Sequence, residues 1–271
     1  MSIRSFVAAA VQVCAGSDKA ENLAKAERFV HDAVRHHARL VVFPEVFLWR
    51  GPRAEERHAA EPIPGPSTER LGALARRAGV YLLAGSILER SDGERPYNTS
   101  ILLAPSGEIV GRYRKIHLFD VDIAGHVSIR ESDTRAGGKA VVTVPTELGV
   151  IGLSVCYDVR FPELYRHLTR AGAEIVAVPS AFTFPTGAAH WEILTRARAI
   201  ENQVYVIAPN QVGRSPTGIV DFGNSLIVDP WGIPLARAAD REMLIVADID
   251  RDHQERIRRE LPALQHAKLG L

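Results

Sequence analysis

The sequence predicts an α/β fold: a four-layer α-β-β-α sandwich carrying an internal pseudo-repeat. Two observations predict it. Short apolar runs rich in β-branched residues alternate with amphipathic helical patterns along most of the 271 residues, as expected of sheets covered by helices. Two pairs of segments also echo one another. Ala38-Arg-Leu-Val-Val-Phe-Pro-Glu resembles Ala173-Glu-Ile-Val-Ala-Val-Pro-Ser, and Asn98-Thr-Ser-Ile-Leu-Leu resembles Asn224-Ser-Leu-Ile-Val. The order helix, strand, helix, strand, hairpin-like pair therefore occurs twice. Two such halves, each a sheet with helices on one face, would bury their open faces by stacking sheet on sheet. Short apolar runs are easily matched, so the echo alone leaves unrelated generic strands as the alternative.

Composition narrows the function classes. A hydrophobic fraction of 46% supports a sizeable core, in one large α/β domain or two smaller ones. Lys and Arg (33) nearly balance Asp and Glu (32), which gives no reason to expect nucleic acid or a membrane as partner. No run approaches the ~18 apolar residues of a membrane span. The two cysteines, Cys14 and Cys156, are too few for a disulfide framework, and no Cys/His spacing suggests zinc, so no metal is expected and a cytoplasmic setting fits. Arg4, the apolar run to Val11 and the small residues beyond loosely mimic a signal peptide. The brevity of that run and Gln12 within it favour a first strand.

The elements follow in order. Asp18 caps a helix with Glu21 three residues on, and Leu23, Ala26, Val30, Ala33 and Val34 fall at helical spacing as far as Ala38. Arg39 to Glu45 reads as a buried strand delivering Glu45 to its carboxyl end. A Pro- and Gly-rich loop then leads to a helix capped by Ser67, and Val80 to Ser86 to a third strand. Asn98 to Ala104 and Glu108 to Tyr113 form a hairpin-like pair. Lys115 to Gly138 reads as a long loop, a feature that in compact domains is usually functional. Val141 to Val144 and Val150 to Val155 resume the sheet, Pro162 opens a helix, and Ala173 to Pro179 is a strand. An amphipathic helix spans Ala189 to Gln203. Strands are expected at Val204 to Ala208, Gly223 to Val228 and Met243 to Asp248, then a C-terminal arm, 251–271, starting as a charged helix.

Three residues at strand ends suggest chemistry. Cys156 sits at a strand-to-helix turn, where nearby amides would favour its thiolate. A buried structural cysteine is the equally open alternative. Glu45 after Pro44 could merely cap a turn, and Lys115 could be a surface charge. Together, at the carboxyl ends of strands where ligands gather, they would supply a thiol nucleophile, a base and a cation for developing negative charge.

The motifs Phe-Pro-Glu at 43–45, Tyr-Arg-Lys-Ile-His-Leu-Phe-Asp at 113–120, Ser-Val-Cys-Tyr-Asp-Val-Arg-Phe-Pro-Glu at 154–163, Pro-Ser-Ala-Phe at 179–182 and the run 189–203 resemble the nitrilase or carbon–nitrogen hydrolase superfamily. They cover nearly the whole chain, in order. The resemblance implies the same four-layer sandwich as a single domain over 1–271. It also implies a homodimer or higher homo-oligomer formed across the helices, with the C-terminal arm used in assembly. It makes Cys156 the nucleophile, Glu45 the general base and acid, and Lys115 the stabiliser of the tetrahedral intermediate. Glu131 would position Lys115 and Glu45 or help orient the substrate, and the backbone amide of Tyr157 would join the oxyanion hole. No cofactor is implied.

True nitrilases typically carry Trp-Glu after the cysteine; Tyr157-Asp158 resembles the amidases and carbamoylases. The Nit-type amidase branch is the nearest resemblance, with carboxylate-bearing amides such as deaminated glutathione and α-ketoglutaramate as implied substrates. Arg160 is a candidate for pairing bidentately with the substrate carboxylate, against an ion pair with Glu163 or Asp158. The resemblance makes Phe119, Phe182 and Thr186 candidate pocket residues, with plain core packing the alternative for Phe182. His190 and Trp191 are expected to pack the long helix, and Cys14 to be a small core residue. N-carbamoyl amino acid hydrolase and aliphatic amidase remain alternatives, with thiol acyltransferase and a non-catalytic binding protein as rivals from other classes.

Overall fold

A computed structural model describes residues 3–125 and 127–269. The first half of the chain runs β1 (Ser5–Gln12), α1 (Lys19–Arg35), β2 (Ala38–Val42), α2 (Glu56–Ala59), α3 (Pro66–Ala78), β3 (Tyr81–Leu83), β4 (Ile87–Glu89), β5 (Tyr97–Leu103) and β6 (Ile109–Arg114). A linking hairpin follows, β7 (Asp120–Ile123) and β8 (Val127–Arg130). The second half runs β9 (Thr143–Thr146), β10 (Gly149–Leu153), α4 (Pro162–Arg170), β11 (Ile175–Ala177), α5 (Phe184–Asn202), β12 (Tyr205–Ala208), β13 (Val212–Arg214), β14 (Val220–Phe222), β15 (Leu226–Val228) and β16 (Pro234–Arg237). The chain closes with β17 (Met243–Asp250), α6 (Arg251–Glu260) and α7 (Ala263–His266).

The pseudo-repeat is visible in the topology. One sheet is ordered β17-β1-β2-β3-β5-β4, with β6 also on β5; the other is ordered β16-β15-β12-β11-β10-β9. β1, β2, β3 and β5 thus match β10, β11, β12 and β15, each set parallel over its first three strands and antiparallel at the fourth. The echoed segments fall on matching strands, β2 with β11 and β5 with β15. β17 returns from the far end of the chain to pair antiparallel with β1 over eight residues, from Ser5 opposite Asp250 to Gln12 opposite Met243. It fills in the first sheet the place that β9 fills in the second.

Period-2 alternation builds the layers. Ala8 and Ala10 of β1, Leu40 and Val42 of β2 and Tyr113 of β6 face the core shared with Ile151 and Leu153 of β10 and Ile175 of β11 in the second sheet. Ala9, Val11 and Val41 face the opposite way, against Leu23, Phe29 and Val30 of α1 and Leu71 and Leu74 of α3. Asp18 caps α1 as expected, its side chain accepting from Ala20 N and Glu21 N. Among the described residues no helix is long and apolar enough to cross a membrane.

Several expectations are corrected. Gly65, not Ser67, precedes the first turn of α3; Pro66 takes the first helical position and Ser67 lies inside, hydrogen-bonded to Glu61. Two prolines set these starts, because a ring-fixed φ suits a first turn: the long helix α5 begins at Phe184, five residues before the expected Ala189, with Pro185 in its first turn. The stretch 115–138 is not all loop. Val121 and Ile123 alternate with aspartates, Val127 and Ile129 with polar residues, and Gly125 at φ 74° sits in the turn between the two strands.

Candidate active site

The strand ends converge. Glu45 lies three residues beyond β2, Lys115 one beyond β6 and Cys156 three beyond β10, so two come from the first sheet and one from the second. All three line one cleft of about 100 Å³, together with Glu131, Tyr157, Phe119, Phe182 and Thr186. Arg160 is not among its lining residues.

Two strained residues hold the groups in place. Cys156 has φ 49° and Val46, next to Glu45, has φ 47°. These are left-handed conformations that cost a β-branched or ordinary L-residue energy and persist only where the surroundings fix them. Val46 N donates to Ser86 Oγ (3.0 Å) and Gln211 Nε2 donates to Glu45 O (2.9 Å). Gly85 lets the Phe43-Pro44-Glu45 backbone pass: a Cβ at that position would stand 1.9 Å from Pro44 O. On the other side, Cys156 N donates to Pro179 O (2.8 Å), tying the turn after β10 to the end of β11.

A 3-10 turn begins at Cys156 and runs to Arg160. Asp158 N closes back on Val155 O, and Tyr157 N has no partner among the described residues. That amide is a free donor one residue from the thiol. Asp158 locks the turn to the first half of the chain. Its Oδ2 accepts from Tyr113 OH (2.7 Å) and Val155 N (2.8 Å), and its Oδ1 accepts from His117 N (3.1 Å) and lies 2.8 Å from His117 Nδ1. Tyr113 and His117 flank Lys115 at two-residue intervals, so one buried carboxylate fixes the lysine strand against the cysteine turn.

The charged groups form a buried relay. Lys115 Nζ donates to Glu45 Oε1 and Glu131 Oε2, both at 2.8 Å. Arg135 Nη1 donates to Glu131 Oε1 (2.8 Å), and its other nitrogens fork onto Glu56. Asn98 Nδ2 donates to Glu45 Oε1 (2.8 Å), Ala181 N to Glu45 Oε2 (3.0 Å) and Phe119 N to Glu131 Oε2 (2.7 Å). Glu45, Lys115 and Glu131 are each less than 5% exposed. Burial works against every one of these charges, and pairing has to exceed it. For Glu131 burial pulls up, but Lys115 and then Arg135 bring the carboxyl down to about 2. For Lys115 burial pulls down, but Glu131 and Glu45 hold the ammonium above its ordinary range.

Cys156 goes the other way. Burial, then the Glu45 carboxylate, push its thiol well above the ordinary range, with Lys115 only partly opposing. The Ala181 amide favours the thiolate, as expected of local amides, but burial and Glu45 outweigh it and shift the group toward the protonated thiol. A neutral thiol next to a carboxylate is a nucleophile with its base already in place.

Phe119 meets the Tyr157 ring edge-on (5.0 Å), Phe182 packs on buried Trp191 (5.1 Å) while lining the cleft, and Thr186 pairs with Thr183 in the first turn of α5. Arg160 pairs with neither Asp158 nor Glu163; its guanidinium lies over Phe182 (5.2 Å) and 3.3 Å from His190 Nδ1. Cys14 is only half-buried, its Sγ 3.5 Å from Arg214 O, and so is not a core residue. Arg135, Glu56, Asn98, Arg50 and Arg53 were not singled out from the sequence. Only the Glu131–Arg135 spacing of four carried a readable signal.

Fold and site define a hydrolase of carbon–nitrogen bonds, and the family model for carbon–nitrogen hydrolases matches residues 7–259. The chain belongs to this family, in its Nit-type branch, whose chemistry is hydrolysis of non-peptide carbon–nitrogen bonds. It is 41% identical to the deaminated glutathione amidase of Synechocystis, across 97% of this chain and 98% of that protein. It is 37% identical to human omega-amidase NIT2, across 98% and 96%. The crystal structure of the C. elegans NitFhit protein superposes with a TM-score of 0.92 at 35% identity, across 99% of this chain and 66% of that one.

Proposed function

We propose that the chain hydrolyses the terminal amide of small carboxylate-bearing amides, of the deaminated glutathione or α-ketoglutaramate type, through a thioester on Cys156. The observation that carries this reading is a buried thiol sharing one cleft with Glu45, whose carboxylate is held by Lys115. The curated relatives named for those two amidase activities support the substrate class.

The steps follow from the geometry. Glu45 takes the Cys156 proton as sulfur bonds to the amide carbonyl carbon. The negative oxygen is met by Tyr157 N and by Lys115 Nζ, whose three donors exceed the two spent on Glu45 and Glu131. Glu45 returns the proton to the departing nitrogen as the C–N bond breaks, releasing ammonia or an amine and leaving the thioester. Glu45 then deprotonates a water that attacks the thioester carbon, the C–S bond breaks, and the thiol regains its proton. Glu131, pinned by Arg135, keeps Lys115 from rotating away.

An ammonia-release screen over α-ketoglutaramate, deaminated glutathione, N-carbamoyl amino acids and simple aliphatic amides tests the reading. Turnover of the first two is expected; preference for carbamoyl compounds or aliphatic amides would move the chain to those neighbouring activities. Acyl transfer to added amines in place of hydrolysis would make it an acyltransferase, and silence on all four classes a binding protein.

The chain also fits a homodimer in the cytoplasm, a single domain over 1–271 whose arm takes part in assembly. Ile193 (70% exposed) and Ile200 on α5, with Trp231 and Ile233 before β16, leave several large apolar side chains exposed. In the arm, α6 binds its own chain, Gln254 Nε2 donating to Glu174 O and Gln203 O, while Leu261 and Leu269 remain exposed. Light scattering on the native chain and on an Ile193→Asp variant checks this, with a shift from dimer to monomer expected.

A further inference from the structure

Among the described residues four cationic side chains line the cleft, and three are committed. Lys115 serves Glu45 and Glu131, Arg135 serves Glu131 and Glu56, and Arg50 is paired with Asp221, a fully buried carboxylate. Arg53 is the fourth. Among the described residues its guanidinium has no carboxylate partner, and its one hydrogen bond runs from Nη1 to Arg130 O at 2.9 Å. That bond pins the head group to the end of the β7–β8 hairpin while Nε and Nη2 stay unused, the planar fork that matches a carboxylate.

Its position suits a ligand. Arg53, Ile129, Thr183, Thr217 and Ile219 wall both the inner cleft and a shallower outer groove that reaches neither Cys156 nor Glu45. Arg53 therefore stands at the cleft's outer end. Without it the lining charges cancel: Glu45, Glu56 and Glu131 balance Lys115, Arg135 and Arg50. An anionic substrate would find no net attraction there, and the one uncommitted cation at the entrance supplies it.

We propose that Arg53 is the specificity residue that anchors the substrate carboxylate, so that the preferred substrate is a linear amide with its carboxylate remote from the scissile bond. The proposal rests on the amidase reading above and moves the anchoring role from Arg160, whose guanidinium is engaged over Phe182 outside the cleft lining.

The test is a ratio. kcat/KM for the monoamide of a five-carbon dicarboxylic acid is divided by that for pentanamide, its uncharged analogue, in the wild type and in Arg53→Met, Arg53→Lys and Arg160→Met variants. The wild type is expected to favour the charged amide. Arg53→Met should lower the ratio roughly 10–100-fold, mainly through KM, as loss of a charge-assisted pair does. Arg53→Lys should restore part of it, which separates lost charge from lost folding. An unchanged ratio in Arg53→Met, or collapse of the ratio in Arg160→Met instead, would overturn the proposal. Turnover of both amides by the wild type at a ratio near one would sink the proposal alone; turnover of neither would sink the amidase reading with it.

Discussion

The two halves of the molecule each place a cysteine just beyond their first parallel strand. Val11-Gln12-Val13-Cys14 follows β1 as Leu153-Ser154-Val155-Cys156 follows β10. The next strand ends match as well: Phe43-Pro44-Glu45 beyond β2 corresponds to Val178-Pro179-Ser180 beyond β11. Yet only Cys156 is buried in a cleft with a carboxylate and an ammonium; Cys14 is half-buried with its thiol near a carbonyl. The strand-end position is common to both halves, so position alone does not make a nucleophile. Glu45 and Lys115 both reach Cys156 from the opposite half, whereas Ser180, at the place matching Glu45, spends its hydroxyl on Val178 O. The repeat supplies the frame, and divergence between its copies supplies the chemistry.

Substitutions can break this comparison in order of expected effect. Cys156→Ala should lower kcat for amide hydrolysis by on the order of 10⁴-fold or more, as removal of a nucleophile does. Cys14→Ala should stay within about twofold; parity between the two variants in an ammonia-release assay would erase the distinction. Lys115→Met should cost about 10²–10³ in kcat as an oxyanion donor is lost. It should also destabilise the fold by about 3–5 kcal/mol, because Glu45 and Glu131 are left buried without their shared cation. Urea melts at pH 7 would register the second effect separately from the first.

Asp158→Asn sharpens the comparison at smaller scale. The amide cannot accept from Tyr113, Val155 and His117 with both of its heavy atoms, so about 1–3 kcal/mol of stability should go. kcat should fall with little change in KM, because the turn bearing Cys156 loosens against Lys115. The smallest effect is in pH dependence. Burial and Glu45 raise the Cys156 thiol above its ordinary range, so the protonated form dominates at pH 7 and thiolate accumulates only as pH rises. Iodoacetamide labelling of Cys156, read by peptide mass, should therefore still be climbing past pH 9. Amide turnover should level off earlier, because Glu45 takes the proton within the complex.

How much of this was legible in the sequence depended on locality. Glu45, Lys115 and Cys156 each sit in a compact motif at a strand end, where type and position can be read together. Lys115 owes its charge to residues 70 positions before it and 16 after, and Glu56 meets Arg135 across 79 residues, distances at which no local pattern exists. The same holds for β17, readable as a strand from its composition but not as the partner of β1, the strand at the other end of the chain. Three-residue strands such as β4, β13 and β14 fall below the length at which alternation is visible. Arg53 illustrates the reverse difficulty: in a Pro- and Gly-rich loop it looks like any surface charge, and only the commitment of the other three cations sets it apart.

In the proposed reaction the acyl group passes through Cys156. Acid quenching of the wild-type protein during turnover of α-ketoglutaramate, followed by peptide mass mapping, tests it most directly. The acyl mass is expected on the peptide carrying Cys156 and not on the peptide carrying Cys14. An acyl group on any other residue, or a burst of ammonia with no acylated peptide, would contradict it.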